Sequence, residues 1–334
     1  MNVHAMGWVA LAAIVIVLIA IDIIGHVRTP HAPTLKEAAS WSAAYITLAL
    51  SFGGLVWGVW GFRYASEYWA GWLTEWSLSL DNLFVFVIMI AAFRVPRAYQ
   101  QKVLLYGIIF ALVLRLIFIL IGAAIINQFS WIFYIFGAWL LYTALMQARS
   151  GEESDDAEEY REPRIVALVR RVFPVTDGFL SDKLLHRHSG TTYLTPMLLV
   201  IIAVGSADVM FALDSIPAIF GLTKEPFLVF AANAFALLGL RQLYFLIDGL
   251  LERLVYLHYG LAAILGFIGI KLILHAMHEN TLPFLNGGEG FHVPDIGIPA
   301  SLTFIVVTLV ITVVASIIKS RRDNAAETAQ QPHA

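Results

Sequence analysis

Glu75-Trp-Ser-Leu-Ser-Leu-Asp81-Asn82 and Asp208-Val-Met-Phe-Ala-Leu-Asp214-Ser215 decide how this chain is built. Each stretch is an acid, five residues, an aspartate and a small polar residue, and each lies inside a hydrophobic run long enough to cross a bilayer. An ionisable group at membrane depth is costly and is read first as functional. Two copies at one spacing point to a repeat with a shared site.

The surrounding composition fits that reading. The 334 residues are 59% hydrophobic and only 13% charged, with mean hydropathy +0.77, against about 25% charged in soluble domains. The expected fold is all-α and polytopic. Nine runs approach the ~20 residues that span ~30 Å of hydrocarbon: roughly 6–25, 39–62, 69–93, 103–126, 130–148, 195–221, 226–249, 255–277 and 297–318. The first lacks a basic flank and a small-x-small cleavage site, so it reads as a retained helix. There are no cysteines, which excludes disulfides, thiolate ligands and cysteine nucleophiles.

Positive charge sets the orientation. With the N-terminus outside, 16 of the 21 Lys and Arg fall in cytoplasmic segments, two (Arg63 and Lys224) in outer loops, and three (Arg115, Arg241 and Lys271) within spans. The expected arrangement is therefore N-out, C-in. The one long polar segment, 149–194, opens with an acidic run and reads as a solvated, partly helical cytoplasmic linker; the tail after Arg322 reads as unstructured.

The halves on either side of that linker resemble each other. Span 3 matches span 6 through the acidic motif. Span 4 (Phe110-Ala-Leu-Val-Leu-Arg115) matches span 7 (Phe235-Ala-Leu-Leu-Gly-Leu-Arg241), and spans 5 and 8 align more weakly through Gly137 and Gly266. An offset of three spans reverses direction across the membrane, which is the inverted repeat found in many secondary transporters. The expected organisation is 1–68, two peripheral helices; 69–148, the first three-helix repeat; 149–194, the loop; 195–277, the inverted second repeat; and 278–334, an outer loop, a last helix and a tail.

On a straight helix Glu75, Ser79 and Asn82 share a face, whereas Asp81 lies about 120° round and roughly 9 Å along the axis from Glu75. One intact helix cannot bring both acids to one ion. Either the helix breaks, or the acids meet across the repeats as Glu75 with Asp208 and Asp81 with Asp214. Pro217 offers a break, because it deprives the Leu213 carbonyl of its helical partner. Carboxylate, amide, hydroxyl and carbonyl oxygens suit Mg, Ca and Mn; the nearby Met210 reads as packing. The candidate metal residues are Glu75, Asp81, Asn82, Asp208, Asp214 and Ser215, with Arg115, Arg241 and Lys271 in gating or ion-pairing roles. Asn233 and Asp248 rank below these. Asp22, near the inner end of span 1, reads as reaching solvent. The outer-loop group His275, His278, Glu279, Glu289, His292 and Asp295, and His186 with His188, fit no standard metal spacing.

At Glu75–Phe86, Thr195–Thr223 and Asn233–Phe245, with Pro174-Val-Thr, the chain resembles the TerC/Alx family of integral membrane proteins, over roughly residues 40–320. The resemblance implies a bacterial inner-membrane protein related to cation and amino-acid exporters, from a family connected with manganese export, alkaline response, tellurite resistance and, in one branch, membrane-protein insertion. The expected function is export of a divalent cation, Mn²⁺ favoured, with protons as the counter-ion. The alternative is a non-transporting membrane factor in stress resistance or insertion. The expected partners are the transported metal ion, protons and lipid, with no nucleic acid and no cofactor. The chain has no phosphate-binding loop motif and no nucleophile–base constellation, so an ATP-driven pump and an enzyme are both disfavoured.

Overall fold

The computed structural model describes residues 1, 3–27, 33–129, 131–150, 164–176, 178–179, 183–188, 191–247, 256–280, 282, 285–294 and 296–330. These form ten α-helices: α1 Ala5–Asp22, α2 Leu35–Trp60, α3 Phe62–Ala92, α4 Arg97–Gln128, α5 Ile132–Ser150, α6 Arg164–Val172, α7 Pro196–Phe220, α8 Pro226–Ile247, α9 Leu257–His278 and α10 Ile298–Gln330. One π-helical turn, Ile23–Val27, extends α1.

Sequence chemistry explains the breaks between helices. Thr34 caps α2 by accepting from the Glu37 amide, a standard N-cap bond. Gly61, at φ +97°, makes the corner from α2 to α3, a backbone conformation that glycine adopts without steric cost. Pro96 precedes α4 and Pro196 occupies the first turn of α7, where the missing N–H is harmless.

Among the described residues, eight helices are long and apolar enough to cross a membrane: all except α5 and α6. The fifth expected span is present as α5, but its last turns carry Gln147 and Arg149, which leave it less apolar than the rest. The expected unstructured tail is instead helical to Gln330. Its Ala325, Ala326, Glu327 and Ala329 are strong helix formers.

Burial sorts the helices into layers. In α8, 94% of the apolar window is enclosed, against 17% in α1 and 22% in α10. The central helix is thus α8, and α1 and α10 present residues such as Val9, Ile16, Val310 and Ile311 outward. Within the core, α3 packs on α8 and α4 on α7, while α5 packs on α9, α3 on α7 and α4 on α8. This pairing is unchanged when α3–α5 are exchanged for α7–α9, as an inverted repeat would require.

The α5–α9 seam rests on two glycines. A Cβ at Gly137 would lie 2.8 Å from the Gly269 carbonyl oxygen, and one at Gly269 would lie 3.0 Å from that of Gly137. Small residues permit such close approach in membranes, where packing drives association. The facing glycine is Gly269, one turn beyond the Gly266 that the sequence alignment pairs with Gly137.

The linker between the halves is more structured than expected. Besides α6 it holds an antiparallel hairpin, β1 Leu185–His188 with β2 Thr191–Leu194. The hairpin is tied to Pro174 and Thr176 by backbone bonds of 2.9 Å to and from Leu194. His186 lies within β1 as a strand residue paired to Tyr193. The hairpin's Thr–Thr–Tyr run carries β-branched and aromatic residues that favour strands.

Gly269→Val forces a side chain into backbone atoms, and overpacking of this kind costs about 1–3 kcal/mol. The thermal midpoint of the purified protein in detergent should fall. Gly54→Ala, where an added Cβ meets nothing within 4 Å, should leave it unchanged or slightly raised.

Candidate intramembrane site

The acids of the two motifs meet because α3, α4 and α7 cross. Helix α3 runs unbroken through Glu75 and Asp81, and α7 runs unbroken through Pro217. The expected break at Pro217 is therefore absent. The Leu213 carbonyl still lacks the amide that Pro217 cannot offer, but the backbone stays helical through it to Phe220. Convergence across helices takes its place, and a side chain from α4 organises it.

Arg115 is that side chain, and it is 1% exposed. Its Nε donates to Asp208 Oδ2 at 2.8 Å and its Nη2 to Asp208 Oδ1 at 3.0 Å, a bidentate clamp. Its Nη1 donates to Glu75 Oε1, to Asn233 Oδ1 at 2.6 Å and to Ser215 Oγ at 3.1 Å. Asn233 in turn donates its amide to the Val229 carbonyl at 2.9 Å, which turns the amide oxygen towards Arg115. Glu75 and Asp208 are 0% and 2% exposed. The planar guanidinium suits this task, since its fixed fork matches carboxylate geometry. Glu75 and Asp208 are thus brought together with Arg115 between them. Two acceptor or donor positions on the same face of α3 are left over: Glu75 Oε2 and Ser79 Oγ are buried and have no hydrogen-bond partner among the described residues.

Asp214 lies six residues beyond Asp208 on α7 and points elsewhere. It accepts from Trp139 Nε1 of α5 at 2.7 Å. With Asn82, Ser215 and Gln147 it lines a cavity of ≈ 110 Å³ walled by Leu78, Phe211, Leu261 and Leu265. Ser215 belongs to both the cavity and the Arg115 cluster. The Asp81 side chain lies outside the described residues, so its expected pairing with Asp214 does too, as does Asp248. Met210 is exposed on the outer face of α7, in keeping with a packing or lipid-facing role.

A second, wider cavity of ≈ 340 Å³ opens at the other end of the bundle, lined by Arg63, Glu67, Thr223, Lys271, His275 and Glu279 among others. Glu67 is buried and accepts from Thr223 Oγ1 at 2.6 Å and from Arg63 Nε at 3.1 Å. The Lys271 amine donates to Ser301 Oγ at 3.0 Å. Glu279 pairs with Lys224 at 3.0 Å and with His275 at 3.4 Å. Of the outer-loop group, Asp295 lies outside the described residues. No group of three or more His, Cys, Asp or Glu is placed to hold a metal ion among the described residues.

Arg241 does not join the motif acids. Its Nη2 donates to Asp22 Oδ1 at 2.5 Å, with both residues buried. The expectation that Asp22 reaches solvent is thus overturned: α1 packs against α8, and the π turn after Asp22 carries the chain onward while the carboxylate faces Arg241.

Sequence reasoning did not single out Glu67, Thr223, Trp139 or Gln147. Glu67 carried a usable signal, since it lies two turns before Glu75 on the same helix. The other three are ordinary residues of amphipathic or boundary positions, and only the fold gives them neighbours.

Residues 60–324 match the family model described as Integral membrane protein TerC family. The chain belongs to the TerC family. Among relatives of the TerC-family protein, a membrane protein of Mycobacterium tuberculosis is 48% identical over 322 residues, covering 96% of this chain and 81% of that one. One from Myxococcus xanthus is 38% identical over 314 residues, covering 94% and 92%. Alx of Escherichia coli, named as a candidate membrane-bound redox modulator, is 42% identical over 278 residues, covering 80% and 85%. No solved structure matches. With its apolar helices the family assignment makes this a multi-pass membrane protein. Arg241 lies inside the family-matched region, and Asp22 lies before it.

Removing one partner of a buried ion cluster strands the others, at a cost of about 3–5 kcal/mol. Arg115→Met should therefore lower the thermal midpoint sharply. Adding Glu75→Gln and Asp208→Asn to it should recover much of the loss. Recovery would identify uncompensated charge, and not lost packing, as the cause.

Proposed function

We propose that this TerC-family protein is a transporter and not an enzyme. On this reading it exports a divalent cation, Mn²⁺ foremost, across the bacterial inner membrane in exchange for protons. The observation that carries the reading is the placement of the Arg115 cluster. It sits on α3 between the two polar cavities, with Glu67 in one, Asn82 in the other and Glu75 at the cluster between them. Glu67 lies eight residues before Glu75 and Asn82 seven after it, about 12 Å and 10 Å along the helix axis. Such an arrangement has the form of a path with two mouths and a closed centre.

In this mechanism Arg115 is the resting counter-ion. A dication entering the small cavity meets Asp214, Asn82, Ser215 and Gln147, all hard oxygen donors suited to Mn and Mg. Reaching Glu75 and Asp208 requires the ion to displace the guanidinium. Metal and arginine, or metal and proton, then occupy the carboxylates in alternation, since a carboxylate must be deprotonated to bind metal. The free Glu75 oxygen and the Ser79 hydroxyl are the positions an arriving ion would use first. Rocking of α3–α5 against α7–α9 about the glycine seam would open one mouth and close the other.

Export must be driven. Moving a dication out against an inside-negative potential costs about 4.6 kcal/mol per 100 mV, twice the single-charge value. Inward proton flow can supply this, and the buried carboxylates are its natural carriers. The sidedness follows the distribution of Lys and Arg, with the N-terminus outside and the C-terminus in the cytoplasm. Tellurite resistance would then be indirect, because the acids at the path repel an oxyanion.

A second reading, a non-transporting factor in stress response, draws on the name given to the Escherichia coli relative and on the ordered linker. With no cysteine in the chain, any redox role of this protein would not run through its own thiols.

Inverted vesicles carrying the protein should take up Mn²⁺ when an acid-inside proton gradient is imposed. Asp81→Asn with Asp214→Asn should abolish this uptake while leaving the protein folded. Absence of proton-dependent uptake in the unmodified protein, for Mn²⁺ and for other divalent ions, would favour the non-transporting factor.

A further inference from the structure

The linker helix α6 has an apolar surface larger than its protein contacts use. Its sequence is Arg-Ile-Val-Ala-Leu-Val-Arg-Arg-Val, 164–172. At 100° per residue, Val166 and Val169 form one stripe, and Ile165, Leu168 and Val172 form the adjoining one. The first stripe faces the protein: Val166 is fully buried, Val169 packs on the core, and α6 lies against α7. The second does not. Ile165 is 46% exposed, Leu168 60% and Val172 62%, and the following Phe173 is 51% exposed. Ala167, Arg170 and Arg171 occupy the opposite side and are exposed.

The position of α6 says what covers that stripe. The Arg170 guanidinium lies 6.0 Å from the ring of Phe93, the residue that ends α3. The chain beyond α6 is bonded through Pro174 to Leu194, just before α7 begins. The helix therefore sits at the level where two membrane-crossing helices end. Its second apolar stripe is exposed at that level, and Arg170 and Arg171 lie on the polar side of the helix. An apolar face backed by a polar face rich in arginine is the make-up of a helix that lies in the headgroup boundary of an anionic membrane. Basic residues near such a surface are attracted to its negative potential.

We propose that α6 is an interfacial helix. It seats Ile165, Leu168, Val172 and Phe173 in the acyl boundary of the bilayer that holds the protein, and Arg170 and Arg171 engage anionic lipid headgroups. Because the same segment is bonded to the start of α7, which carries Asp208 and Asp214, the lipid contact fixes one end of a site-bearing helix. The docking does not depend on the transport reading.

The chain has no cysteine, so single labels are unambiguous. Leu168→Cys, Val172→Cys and Ala167→Cys, each in the full protein and labelled with an environment-sensitive fluorophore, would be placed in nanodiscs of phosphatidylcholine alone or mixed with phosphatidylglycerol. Labels at 168 and 172 should be blue-shifted and quenched by shallow spin-labelled lipid, more strongly in the anionic discs, and the label at 167 should be neither. Arg170→Gln with Arg171→Gln should remove the difference between the two lipid mixtures. Water-like emission at 168 and 172, or blue-shifted emission that lipid does not quench (a protein surface covering the stripe), would overturn the proposal. Equal quenching in neutral and anionic discs would overturn its charge selectivity.

Discussion

One guanidinium holds the centre of this protein together. Glu75 and Asp208 come from different halves of the chain, and each is buried to a depth at which an unpaired carboxylate is very costly. Arg115 reaches both, and its Nη1 also donates to Ser215 and Asn233. The crossing of α3, α4 and α7 is therefore fixed by charge as well as by packing. Apolar contacts alone would be a weak guide here, because lipid tails are as apolar as the helix faces they compete with. A buried ion cluster contributes little net stability compared with a well-packed apolar substitute. What it supplies is position: four helices, α3, α4, α7 and α8, must be in register for its bonds to be made at all.

The second buried arginine shows how the two halves differ. Arg115 and Arg241 occupy matching sequence contexts, yet Arg115 is met by the motif acids and Arg241 by Asp22 on α1. Among the described motif acids, Glu75 and Asp208 meet Arg115, and Asp214 meets Trp139. The other half has been supplied with a counter-ion by a helix that lies ahead of the family-matched region. Exchange of the halves preserves the helix packing but not the charge pattern. That asymmetry gives the bundle one ion cluster facing the small cavity and a separate one anchoring α1.

The membrane class, the acidic motif pair and the meeting of Glu75 with Asp208 were all readable from the sequence, since each follows from spacing and hydropathy. The intramembrane arginines were readable as partners for acids, but their assignment was not. Which of Arg115 and Arg241 faces Asp208 depends on how α4 and α8 are rotated, and rotation is set by packing that spacing does not encode. Asp22 was misread for a related reason: a charge near a helix end reaches water only if nothing packs over it, and α8 does. Pro217 deprives the Leu213 carbonyl of its amide partner, yet α7 stays helical to Phe220, since the loss of one bond does not unwind a packed helix. The hairpin 185–194 was hidden by its polarity, which looks like a solvated linker when its fixed point, Thr195 bonded to the carbonyls of Lys183 and Leu184, is unknown.

On the transport reading proposed above, the site passes its ion on and does not store it. A storage site would hold its ion with a closed set of ligands, and among the described residues no such set of acids and histidines is gathered. Here the strongest donors are already engaged by arginine, one carboxylate oxygen is left over, and Ser215 links the cluster to a cavity lined by Asp214 and Asn82. An ion can gain ground only by competing with Arg115, so its binding is limited by what the arginine gives up. That limit is an advantage for a carrier, which must release what it binds. On the transport reading the same competition would give the cluster two arrangements: the one guanidinium offsets one of the two carboxylate charges of Glu75 and Asp208, whereas a dication would offset both.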